Sequence, residues 1–104
     1  MKKLRLGSGA GYSGDRIDPA VELARFGHLD YLIFECLAER TIAIAQQNKR
    51  SGMSEGYDPL LAERMQAVLP DCVRNGTKII SNMGAANPIA AAKKARETAR
   101  SLGL

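Results

Sequence analysis

The sequence predicts one α/β domain: three parallel strands alternating with about four helices, in a Rossmann-like or partial barrel-like layer. Three observations carry this. Short Val, Ile and Leu runs alternate with segments of helical apolar spacing, the pattern of strand-helix-strand units. The run Tyr31-Leu32-Ile33-Phe34-Glu35-Cys36 is apolar at consecutive positions until Glu35, as expected of a central strand covered on both faces. Three pairs, Asp18-Pro19, Asp58-Pro59 and Asn87-Pro88, place an N-cap residue before a proline at the first helical position.

Element by element, the first strand is expected over 3–8, followed by a glycine loop containing Gly7, Gly9, Gly11 and Gly14. A helix runs from Pro19 to about Phe26, where Gly27 stops it and His28 helps close it. The second strand is 31–36 and the second helix 38–49. A polar loop over 50–57 with Gly52 and Gly56 is the segment expected to be most mobile. A helix over 59–74 carries one apolar stripe, Leu61, Met65, Val68, Leu69, Cys72 and Val73, across Pro70, where a kink is expected. The third strand covers 77–81, and the last helix runs from Pro88 to Ser101 before Gly103. Three strands make a thin sheet. The unit is therefore expected to be completed, by the remainder of a longer chain or by association into a homo-oligomer.

With 104 residues, 45% of them apolar, the chain is long enough to bury a core without disulfide or metal staples. No apolar run reaches the roughly 20 residues of a membrane span, and no signal-peptide stretch follows the start, so a cytoplasmic location without membrane attachment is expected. The net charge of +4 is spread thinly. Lys93, Lys94, Arg96 and Arg100 lie among alanines with no aromatic residue between them, which argues for a solvated helix face and against a nucleic-acid surface. Cys36 and Cys72 are isolated and lie in apolar runs, so no metal site is expected and both read as small buried hydrophobes. A nucleophilic Cys36 would need His28, the sole histidine, as its base.

Ligands of parallel α/β sheets gather at the carboxyl ends of the strands. Three segments meet there: 7–16, 35–41 and 82–87. In the first, glycine amides can approach an anionic or carbonyl ligand closely, or the segment is simply a turn. Gly9, Gly11 and Gly14 also match the dinucleotide spacing, with Glu35 standing 21 residues on. That cofactor site requires the helix to open within the glycines, whereas here Asp15 and Arg16 lengthen the turn. The nature of any cofactor stays open. In the second segment, partial burial would make Glu35 a general acid or base, whereas pairing with Arg40 would leave it a structural ion pair. Glu39 suits a helix's first turn. In the third, Asn82, Gly84 and Asn87 either orient a carbonyl or form a turn.

The strings Gly-Ser-Gly-Ala-Gly-Tyr-Ser-Gly-Asp-Arg, Asp-Tyr-Leu-Ile-Phe-Glu-Cys-Leu-Ala-Glu-Arg-Thr, Gly-Tyr-Asp-Pro-Leu-Leu and Ile-Ile-Ser-Asn-Met-Gly-Ala-Ala-Asn-Pro resemble the N-terminal region of the AtuA-like, acyclic terpene utilisation family. The resemblance spans nearly the whole chain, and the family's chains run longer. It implies a part in bacterial breakdown of acyclic terpenoids such as citronellol and geraniol, through branched carboxylates and acyl-CoA thioesters, and it implies no particular reaction. The matching motif positions are Gly9, Gly11, Asp15, Arg16, Glu35, Glu39, Arg40, Asn82, Gly84 and Asn87. The resemblance assigns none of them a catalytic role; by their own chemistry Glu35 and Asp15 are the catalytic candidates and the other eight the candidates for ligand binding.

Overall fold

The computed structural model describes residues 2–104. It contains β1 (Leu6–Ala10), α1 (Asp18–Phe26), β2 (Tyr31–Phe34), α2 (Glu39–Ser51), α3 (Leu61–Asn75), β3 (Lys78–Ser81) and α4 (Pro88–Ser101). The three strands form one parallel sheet in the order β1-β2-β3. The expected α/β class, strand number and helix number hold, and β2 is central.

β1 begins three residues later than expected and includes two of the glycines. Pairing starts where the Arg5 carbonyl accepts from the Asp30 and Tyr31 amides, at 2.8 and 3.3 Å. Gly7 and Gly9 face the helices, where a side chain would crowd Leu29 and Phe34. A Cβ on Gly7 would lie 2.4 Å from Leu29, and one on Gly9 would lie 2.6 Å from the Phe34 ring. The register slips between Ser8 and Ala10, so Gly9 has no residue opposite it.

Helices α1 and α3 pack against each other on one side of the sheet. There Leu32, Phe34, Ala20, Ala24, Leu61, Val68 and Cys72 form the core. Contrary to expectation, β2 is covered on one face only: Leu32 and Phe34 are buried, whereas Tyr31 and Ile33 are half-exposed beside the exposed Leu6 and Ile80. Strand order is the reason. A sheet that grows in one direction through crossovers of one hand keeps its helices on one side. Helix α4 packs on α3 and on no strand, which leaves β3 an exposed edge.

Helix starts divide into three cases. Asn87 caps α4, its side chain accepting from the Ala90 amide at 3.2 Å. Asp58 instead holds a turn ahead of α3, accepting from the Leu60 amide at 2.8 Å. Asp18 is already helical, and Ile17 flanks it without a side-chain cap. α1 ends through Gly27, whose amide bonds Leu23, while His28 takes the left-handed conformation at φ +51°. α3 continues through Pro70, and Val73, expected on its buried stripe, is exposed. Asp71 is buried, paired with Arg25 of α1 at 3.2 Å and with Arg74.

Helix α2 stands apart. None of its residues is buried, and it packs on no other element. The loop after it, expected to be the most mobile, is tied to the turn after β3: Ala86 donates to the Gly56 carbonyl at 2.8 Å, and the Asn87 amide donates to the Glu55 carbonyl at 3.0 Å. No helix among the described residues is long and apolar enough to cross a membrane.

Candidate functional site at the carboxyl ends of the strands

The three predicted loops do meet at the carboxyl ends of the strands. After β1, Asp15 folds back on its own loop, accepting from the Gly11 amide at 2.9 Å and from the Arg16 amide at 2.8 Å. Those two bonds hold its carboxyl below the ordinary carboxylate range. The Gly11 amide that a phosphate would use is thus already engaged by a carboxylate. α1 opens only at Asp18, with a further acid in its first turn, so its N-terminus is not presented to the glycines. This geometry gives the dinucleotide reading no support.

Beyond β2, Glu35 is exposed and bonds Asn82 of the β3 turn and the Leu37 amide, rather than Arg40. Both bonds favour the ionised form and lower its pKa, with the Asn82 contribution the larger. The partial burial that would have raised it is absent. Asn82 also accepts from the Cys36 amide through Oδ1 at 2.7 Å, so its amide clamps the end of β2 to the end of β3. Asn87 is engaged in its cap and with Glu55. Glu39 and Arg40 are exposed at the start of α2, Arg16 is exposed on the first loop, and Gly84 is held close against Pro88.

Sequence reasoning did not assemble the cavity these loops surround. It has a volume of about 220 Å³. Its walls are apolar: Leu37, Ile44 and Ala45 on the α2 side, Tyr57 and Pro59 ahead of α3. Its inner end carries buried Cys36 and Asp58 with half-buried Ser13. Ser13 Oγ donates to Asp58 Oδ2 at 2.9 Å, joining the glycine loop to the entry of α3. None of the ten sequence-predicted positions lines this cavity, although Glu35, Arg40 and Gly84 each adjoin a residue that does. Burial pushes the Cys36 thiol up to about 11, with Arg64 pulling the other way, so Cys36 stays a neutral thiol. His28 lies before β2, at the opposite end of the strand from Cys36, and cannot serve as its base.

Behind this end lies Arg64, fully buried on α3. Its Nη2 donates to the Asp15 carbonyl at 2.9 Å, and its guanidinium lies 6.0 Å from the centre of the Phe34 ring. Its Nε and Nη1 have no protein partner among the described residues. Arg64 and Asp58 were both legible in part. Arg64 falls three residues after Leu61 and four before Val68, on the buried stripe of α3. Asp58 belongs to an Asp-Pro pair that sequence alone reads as a cap.

The sequence model of the acyclic terpene utilisation family protein AtuA matches residues 4–104. The chain belongs to the acyclic terpene utilisation family AtuA. No curated protein and no solved structure matches it. The family match takes in all three loops, α2 and the cavity, so this AtuA-family site lies wholly within the matched region. Membership suggests a role in acyclic terpene utilisation. Among the described residues, no group of three or more His, Cys, Asp or Glu side chains is placed to hold a metal ion.

Proposed function

We propose that this AtuA-family chain binds the branched aliphatic part of an acyclic terpenoid, carried as a carboxylate or acyl thioester, as a component of terpenoid catabolism. The observation that carries this is the apolar cavity at the strand ends. At about 220 Å³ it is smaller than the roughly 300–1,000 Å³ of drug-sized pockets, a size that suits a short branched chain and not a nucleotide. Arg16 and Arg40, exposed on the flanking loops, are the cations available to an anionic end outside the cavity. Glu35, kept ionised by Asn82 and Leu37, has no proton to give as a general acid and is only a weak base. The test is to fill the cavity. Ile44→Trp lies on a helix with no buried residue and leaves the core alone; it should abolish binding of branched C5 to C10 acids or thioesters in a calorimetric titration while the melting temperature holds. Unchanged binding would refute the cavity as the site.

A second reading, an interaction module, is favoured by the uncovered sheet face. Leu6 and Ile80 are 60% and 52% exposed on a parallel sheet, a class almost always covered on both faces. Light scattering after size exclusion should then show a dimer or larger species that Ile80→Asp dissolves; a monomer at all concentrations would remove this reading.

A further inference from the structure

The buried end of the cavity differs chemically from its walls, and that difference bears on which ligand group enters. Ser13 has committed its proton to Asp58, so its oxygen can face a ligand only as an acceptor. Asp58 is 5% exposed; its Oδ1 accepts from the Leu60 amide and its Oδ2 from Ser13, which leaves about two of a carboxylate's four acceptor directions unused. Cys36 presents a neutral thiol, a weak donor at most. No cationic side chain lines the cavity. The other polar groups of the lining are the Asn48 amide, the Tyr57 hydroxyl, the Ser54 hydroxyl, which accepts from the Gly56 amide, and the Thr41 hydroxyl, which is committed to the Ala38 backbone.

We propose that Ser13 and Asp58 form a hydroxyl-recognising pair, so that the inner end of the cavity takes a hydroxyl of a branched aliphatic ligand in preference to a carboxylate, which is left at the mouth. The inference rests on the cavity reading above and specifies the group that reaches its inner end. Beside Ser13 and Asp58 a hydroxyl can donate to the Asp58 carboxylate, whereas a carboxylate has no proton to give and there meets two acceptors. Arg64 is the one buried cation nearby. It donates to the Asp15 carbonyl, forms no ion pair with Asp58 and does not line the cavity.

The experiment is an NMR titration of the intact chain with three probes of one shape: 3-methylbutan-1-ol, its methyl ether and 3-methylbutanoate, following the amides of Ser13, Leu37, Ile44 and Asp58. The alcohol should bind about tenfold or more tightly than either of the others, the step expected when a hydrogen bond to a charged acceptor is present or absent. Asp58→Asn keeps the shape and the acceptor for the Leu60 amide while adding a donor, and it should bring the three affinities within about threefold of one another. Ser13→Ala, which removes only the hydroxyl, guards against a folding defect in the first variant and should reduce the alcohol preference. If alcohol and ether bind equally, the cavity reading stands and the hydroxyl inference falls. A preference for the carboxylate that Arg64→Met abolishes would overturn it in favour of an anion site. If none of the probes shifts these amides, both readings fall.

Discussion

Gly9→Ala separates two roles the glycine loop could have, packing and ligand approach. An ideal Cβ at Gly9 lies 2.6, 2.9 and 3.1 Å from three atoms of the Phe34 ring, against about 3.5–4.0 Å for carbon atoms in contact. The ring must therefore retreat by about 1 Å. It has little room, because Phe34 is 1% exposed and the Arg64 guanidinium lies over its face. Overpacking of this kind costs about 1–3 kcal/mol. The stiffer unfolded chain returns about 0.4–1 kcal/mol, for a net loss of about 1–2 kcal/mol. At about 4–8 °C per kcal/mol for a domain of this size, the melting temperature should fall by about 4–16 °C. Gly11→Ala is the control. The nearest atom to its Cβ is Asp15 Oδ2 at 3.8 Å, so stability should hold or rise slightly. Phe34→Leu in the Gly9→Ala background should recover part of the loss, with a coupling above about 0.5 kcal/mol. Thermal and urea unfolding by circular dichroism reads these three variants and the Phe34→Leu single substitution that completes the cycle. A Gly9→Ala protein melting within about 2 °C of wild type and uncoupled from Phe34 would refute the packing argument.

Two further outcomes follow from the titrating groups. With its thiol at about 11, Cys36 should react with a thiol reagent at about pH 8 roughly a hundredfold more slowly than a free cysteine, speeding up tenfold per pH unit; peptide-mapped labelling at the free rate would mean the site is open. Asp15 and Glu35 have folded-state pKa values below their ordinary 3.8 and 4.5, so the stability they contribute is complete above those values and is lost as pH falls through the lower, folded ones. Asp15→Asn with Glu35→Gln should therefore flatten the acid side of the stability profile and leave its neutral side unchanged in slope, and an unaltered acid limb would show that these bonds do not persist in solution.

What was legible in the sequence was periodicity. The run at β2 identified its own strand, and Asn87-Pro88 identified a capped helix, because in both the local pattern and the tertiary environment agree. The misses share a cause. Gly9 falls outside the expected strand because glycine signals a turn, yet here it leaves the space that the Phe34 ring fills. β2 was read as covered on both faces because its apolar run reports tolerance for burial, not which neighbours supply it. The uncovered face comes from strand order, which no single segment encodes.

The structure weights the candidate site residues differently for a related reason, and this bears on the chemistry of the strand ends. Sequence reasoning favours charged residues that end apolar runs, so it chose Glu35, Asp15, Arg16 and Arg40, and the structure leaves Glu35, Arg16 and Arg40 exposed. The charges the fold buries, Arg64 and Asp71, sit on the apolar stripe of α3, where helical spacing makes them look like interruptions. Asp71 has two arginine partners and locks α1 to α3 at the amino ends of the strands. Arg64 has a single carbonyl partner and lies at the other end of the same helix, beneath the loop that carries Ser13. A buried guanidinium left so incompletely bonded costs stability. Its retention at the strand ends, where Asp58 is buried as well, places the unbalanced polar chemistry of the molecule beside the cavity and not along the helix seam. The loop carboxylates Glu35 and Asp15 then act on the fold, by clamping strand ends and closing a turn, while half-buried Ser13 and buried Asp58 are what a ligand would meet.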